Sequence, residues 1–252
     1  MKPDLILDAV TPDLMERVVS RRDALANAGR VTAGVALASV PLALGVMARS
    51  AFGQGSGLPQ AVKDVLNFAL TLEYLEDEFY ATGLGSSGLI PAQYTAVFQQ
   101  ISQHESAHVA LLSATLGADA VAKPTFDFTA GGAFGDVFSN FQTFAALAQG
   151  FEDTGVRAYK GQAAALIDSD AYLTVALQIH SVEARHASKV RRIRGQKGWI
   201  VQATTDVPAL QAVYDGEDAA NGGFSDAAAT EAFDEPLSKD AVLAIAGPFI
   251  VA

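Results

Sequence analysis

Glu105-Ser106-Ala107-His108 and Glu183-Ala184-Arg185-His186 are two copies of one pattern, Glu-x-x-His, and they decide how the chain is read. Residues three apart project from the same face of a helix, so both members of each copy can reach one point in a helical core. A lone glutamate precedes each copy by about one helix and a turn: Glu73 lies 32 residues before Glu105, and Glu152 lies 31 before Glu183. The arrangement is therefore an internal repeat, Glu then Glu-x-x-His, occurring twice. One Glu-x-x-His alone is usually a solvated face or a salt bridge; the repeat is what carries weight.

Outward from these residues the apolar pattern is helical. Val62, Leu66, Ala69, Glu73, Glu76 and Tyr80 follow at steps of four and three. So do Tyr94, Phe98, Ile101, Glu105, His108, Leu112 and Thr115. Phe141, Ala145, Ala148, Glu152, Gly155, Tyr159 and Gln162 form a third series, and Tyr172, Ala176, Ile179, Glu183, His186, Val190 and Ile193 a fourth. Such steps keep residues on one inward stripe of a bundle. Gly83 to Pro91 reads as a short turn, and Asp168-Ser169-Asp170 offers caps for the fourth helix. The long stretch from Gly117 to Asp136, with Pro124 and Gly131-Gly132, reads as a crossover along the bundle. The expectation is all-α: a four-helix bundle with a long crossover between its second and third helices, over residues 54–197. Residues 198–252 are expected to form an irregular extension packed on it, with a short helix capped by Ser238 and stopped at Gly247-Pro248.

Four carboxylates converging in an apolar core each cost several kcal/mol unless neutralised. The four stripes carry no matching set of Lys and Arg. Two divalent cations balance four carboxylates and leave two neutral imidazoles, and this hard set suits iron or manganese. The expected metal ligands are Glu73, Glu105, His108, Glu152, Glu183 and His186. Glu105 and Glu183 are the bridging candidates and the residues expected to matter most for catalysis.

Tyr80 and Tyr159, each seven residues after a lone Glu, are candidates to hydrogen-bond a ligand, although a seam aromatic is more often core. Glu76 is a candidate extra carboxylate; its counterpart Gly155 leaves room for a small substrate, or the asymmetry is incidental. His180 reads as a hydrogen-bonded bundle histidine, with a ligand's partner as the alternative. His104 is expected to point away from the Glu105 stripe.

The chain of 252 residues contains no cysteine, which removes disulfides, thiolate metal sites and cysteine nucleophiles. It has 17 basic and 28 acidic residues, a formal charge of −11, which argues against nucleic acid as partner. Residues 1–53 read as an address. Ser20-Arg21-Arg22-Asp23-Ala24-Leu25 is followed by an uncharged Val31–Ala48 segment, then Arg49 and the small-residue site Ala51-Phe52-Gly53. The arginine pair and the basic residue after the apolar segment favour the twin-arginine route, giving an extracytoplasmic or periplasmic protein. An uncleaved membrane anchor is the alternative. Without residues 1–53 the chain carries 11 basic against 23 acidic residues.

In these segments the sequence resembles the ferritin-like superfamily. Within it, the chain is similar to exported ferritin-like-domain proteins related to plant desiccation-related proteins. Leu72-Glu73-Tyr74-Leu75-Glu76, His104-Glu105-Ser106-Ala107-His108, Phe151-Glu152-Asp153-Thr154-Gly155-Val156 and Glu183-Ala184-Arg185-His186 carry the likeness, with Ala232-Phe233-Asp234-Glu235-Pro236-Leu237 and Pro248-Phe249-Ile250 near the end. The resemblance implies a ferritin-like bundle with a dinuclear iron or manganese centre. It leaves three functions open: a redox enzyme acting on oxygen or peroxide (a ferroxidase or a manganese-dependent peroxide remover), a metal-binding or storage protein, and a stress-protective structural protein. A homo-oligomer is compatible with all three.

Overall fold

The computed structural model describes residues 57–219 and 222–251; the expected leader, 1–53, lies outside them. Four long helices form where the four stripes run: α1 (Gln60–Gly85), α2 (Ala92–Leu116), α3 (Phe141–Gln162) and α4 (Asp170–Ile193). α1 packs chiefly on α2, and α3 on α4. The two pairs meet along α1–α3 and α2–α4. None of the described helices is long and apolar enough to cross a membrane.

The helix starts follow local chemistry. Pro59 and Pro91, at φ −54° and −56°, fix the chain just before α1 and α2. Asn140 caps α3 by accepting a hydrogen bond from the Gln142 amide. Ser169 does occupy the cap position of α4, but its side chain makes no capping bond. Asp170 instead places a carboxylate in the first turn, where the helix dipole favours it.

The 117–140 crossover is part of the core rather than a bare connection. Phe128, Phe134 and Val137 are buried with Phe79, Phe144 and Phe151 in one cluster. Phe79 stacks on Phe144 at 4.7 Å between ring centres, and Phe128 tilts against Phe79 at 5.4 Å. Each such buried ring contributes about 1.5–3 kcal/mol relative to an exposed one. Within the crossover, β1 (Thr125–Phe126) pairs antiparallel with β2 (Ile250–Val251), so the end of the chain fixes its middle.

The extension is more regular than its sequence reads. It contains a 3₁₀ turn at Pro208–Val213, α5 (Asp226–Ala232) and α6 (Lys239–Ala246). Ser238 caps α6 and Gly247 ends it, as expected, while Ser225 caps the unforeseen α5. Leu210, Val213, Tyr214, Leu237, Val242 and Phe249 are buried in the same core cluster as the crossover. α3 is consequently covered on more than one side: every residue from Phe144 to Tyr159 is buried. The approach is close at Gly161, where a Cβ would stand 1.9 Å from the Leu237 carbonyl oxygen.

Candidate metal centre

The inward stripes bring the six expected ligands together at mid-bundle. Glu73 comes from α1, Glu105 and His108 from α2, Glu152 from α3, and Glu183 and His186 from α4. All six are buried; Glu105, Glu152 and Glu183 are completely so. They form two groups, Glu73–Glu105–His108–Glu183 and Glu105–Glu152–Glu183–His186, with the donor atoms of each within 4.8 Å of one another. Glu105 and Glu183 belong to both groups.

The imidazoles set the symmetry. His108 Nδ1 lies 3.1 Å from Glu73 Oε2, 3.0 Å from Glu105 Oε2 and 3.1 Å from Glu183 Oε1. His186 Nδ1 lies 2.9 Å from Glu105 Oε1, 3.2 Å from Glu152 Oε2 and 3.4 Å from Glu183 Oε2. Glu105 and Glu183 thus turn one oxygen toward each imidazole, while Glu73 and Glu152 each face one. The two carboxylates common to both groups therefore lie between the two imidazoles.

The tyrosines cross the bundle. Tyr80, on the helix of Glu73, donates to Glu152 Oε1; Tyr159, on the helix of Glu152, donates to Glu73 Oε1 at 2.5 Å. Each therefore fixes the lone glutamate of the opposite helix and leaves its second oxygen facing inward. Burial, then the neighbouring carboxylate, holds both phenols protonated, well above the ordinary tyrosine range.

The inner atoms fit a cation. Glu105 Oε1, Glu152 Oε2, both Glu183 oxygens and His186 Nδ1 are buried without a hydrogen-bond partner. Buried polar atoms are rarely left so. Burial pushes Glu73 up to about 8 and holds Glu152 well above the usual carboxylate range. Burial opposes charge on His108 and His186 too, yet the carboxylates around them win and both are raised. Burial also acts against Glu183, but the two imidazoles beside it hold it below the usual carboxylate range. In the metal-free protein, protons do the neutralising that a cation would do. Buried carboxylate and imidazole groups of this kind can hold metal ions.

Two histidines lie outside the ligand set. His180 is a bundle histidine hydrogen-bonded through Nδ1 to the Val156 carbonyl at 3.0 Å. His104 does not turn away: its Nδ1 lies 2.8 Å from His186 Nε2, with the two rings nearly parallel at 11°. Position 104 falls on the α2 flank that faces α4, a relation no single-helix stripe contains. Burial, then His186, keeps His104 below the ordinary histidine value. It holds the His186 ring from behind, its Nδ1 against His186 Nε2 and its own Nε2 accepting from the Gln100 amide at 2.8 Å.

Glu76 is buried beside this cluster. A Cβ on Gly155 would stand 3.5 Å from Glu76 Oε1, in ordinary contact, so the glycine leaves a shallow notch between Glu76 and Glu183.

Fold and site together define a helical-bundle protein with a carboxylate–histidine centre in its core. The ferritin-like domain family matches residues 61–196, more than half of the sequence, and the chain belongs to that family. No curated protein matches it.

Proposed function

We propose that this chain is an exported ferritin-like protein holding two iron or manganese ions, and that it oxidises metal with oxygen or removes peroxide. The carrying observation is the pair of carboxylates, Glu105 and Glu183, each turning one oxygen to each inward imidazole Nδ1. Glu73 and His108 would complete one position, and Glu152 and His186 the other. When bound, a pair of such ions would supply two electrons, passing from divalent to trivalent, enough to take oxygen to peroxide or peroxide to water.

The chain's own part is to hold that pair and admit the oxidant. The anionic set, four carboxylates to two imidazoles, favours the trivalent state. Tyr80 and Tyr159 keep Glu152 and Glu73 from swinging as the charge changes. Beside Tyr159 lies a small cavity with apolar walls that include Leu66, Ala69, Leu112, Ala158 and Ala176. Dry walls of this kind suit a small apolar oxidant. A second, open depression reaches His186 past Gln100, His104 and Lys189.

The test is stopped-flow mixing of anaerobic, reduced iron-loaded and manganese-loaded protein with oxygen and with peroxide, followed by multiple-turnover assays. Consumption of either oxidant is expected, abolished in Glu105→Ala. Tyr80→Phe and Tyr159→Phe should slow it and leave metal content intact. If both loaded forms stay inert, the enzyme reading fails and a storage or protective role replaces it; many ions per chain would mark storage.

Export rests on Arg21-Arg22 and the uncharged segment behind them. Mature protein is expected to begin near Gln54 and to lie outside the cytoplasm. Lysine at both arginines should stop export, as read by fractionation. Normal export of that variant would leave only a general secretory signal, and an intact leader on membranes would make it an anchor.

A further inference from the structure

The two halves of the centre repeat each other with one exception. Three residues after its lone glutamate, α1 carries Glu76, whereas α3 carries Gly155. Four residues further on, the tyrosines restore the likeness, since Tyr80 reaches Glu152 and Tyr159 reaches Glu73. Glu76 thus stands on the α1 face whose next turn reaches Glu152.

Glu76 is 4 % exposed and has neither a hydrogen bond nor an ion pair among the described residues. The charged groups acting on it most strongly are carboxylates: Glu152 first, then Glu183, Glu105 and Glu73. Its Oε1 borders the Gly155 notch, whose other wall is the Glu183 side chain. An unpartnered carboxylate held this deep among four others is explained by a cation it can reach. The five orphaned inner atoms lie mainly on the same side, since Glu152 Oε2, His186 Nδ1 and Glu105 Oε1 all belong to the Glu152–His186 position.

His104 adds a second, independent difference. It backs His186 at 2.8 Å, whereas His108 has no such partner among the described residues.

We infer that the two metal positions are inequivalent, and that Glu76 is a further ligand for the ion at Glu152 and His186. That ion gains a third kind of carboxylate contact besides Glu152 and the bridging pair, and a histidine whose ring is held from behind by His104. It is loaded first and released last. Gly155 makes the arrangement one-sided, because the ion at Glu73 and His108 has no counterpart to Glu76. This inference rests on the two-ion reading of the centre.

The experiment separates the positions and reads metal binding rather than turnover. His108→Ala should keep one ion, at Glu152–His186, and His186→Ala one ion, at Glu73–His108. Each protein is titrated anaerobically with manganese(II), free ion being read by electron paramagnetic resonance, with and without Glu76→Gln. The added change should weaken binding about ten- to a hundred-fold in the His108→Ala protein. It should leave the His186→Ala protein unchanged. Metal-free Glu76→Gln should melt no lower than wild type, because it replaces an unpartnered buried carboxyl group with an uncharged amide of the same volume. Equal weakening in both backgrounds, or none in the first, overturns the inference while wild type still takes two ions. Wild type that takes no ions overturns the two-ion reading and this inference with it.

Discussion

Glu183→Ala is expected to strip most of both ions from the centre, because its two oxygens face the two imidazoles separately. Glu73→Ala should cost mainly one ion, since Glu73 faces only His108 among the imidazoles. Metal analysis of the purified variants checks this. Binding also stabilises: at free metal about a thousand times Kd, each site contributes about 4 kcal/mol to folding. Chelation should therefore lower the melting temperature of wild type and barely move that of Glu183→Ala. The pH dependence has a fixed sign. Metal takes the deprotonated ligands, yet burial holds Glu73 at about 8, and the carboxylates hold both imidazoles above their ordinary value. Uptake must release protons, so affinity should fall as pH drops below about 8. Calorimetry in buffers of different ionisation enthalpy reads the protons directly. Wild-type protein that melts identically with and without chelator, and takes up neither iron nor manganese, would sink the centre.

The second large effect lies behind α3. Arg157 is 1 % exposed and ties residues 198–252 to the bundle. Its guanidinium donates to the carbonyls of Glu235 at 2.7 Å, Val213 at 2.5 Å and Asp215 at 3.1 Å, and pairs with buried Glu217 at 2.7 Å. Arg157→Ala strands the carboxylate and three carbonyls. Breaking a buried pair from one side costs about 3–5 kcal/mol. Burial already raises Glu217 to about 7 with the arginine beside it, so in the variant it can take up a proton instead of staying charged. The lower end of that range is expected. Chemical denaturation measures the loss, and limited proteolysis should cut the released extension first. A variant as stable and protease-resistant as wild type would show that the extension is held by its apolar contacts alone. Arg157→Met with Glu217→Leu should recover much of the loss, because it removes both charges together.

Asp153 belongs to the same hidden layer. It pairs with Arg191 and accepts from Tyr214 at 2.8 Å, while Gln149 donates to Tyr214 at 3.0 Å. In sequence, Gln149, Asp153 and Arg157 recur every four residues and read as the wet back of an amphipathic helix. They are buried because Tyr214, Glu217 and the 213–217 backbone supply their partners. Those partners lie about sixty positions away, and no local period reaches that far.

The amino-acid sequence by itself determined the four helices and the six side chains that converge between them. Helical period is a local property, and a glutamate in the middle of an apolar stripe is carried inward wherever that stripe packs. The repeat of Glu then Glu-x-x-His made the convergence countable. Tertiary structure alone decided what each ligand faces. How far a helix rotates about its axis is set by the neighbours it packs against. That rotation gave Glu105 and Glu183 two imidazoles each, sent each tyrosine to the opposite helix, and set His104 against His186. It also placed the extension against the back of α3, where the closeness at Gly161 admits no side chain. Spacing along one helix fixes which residues share a face; only packing fixes what that face meets.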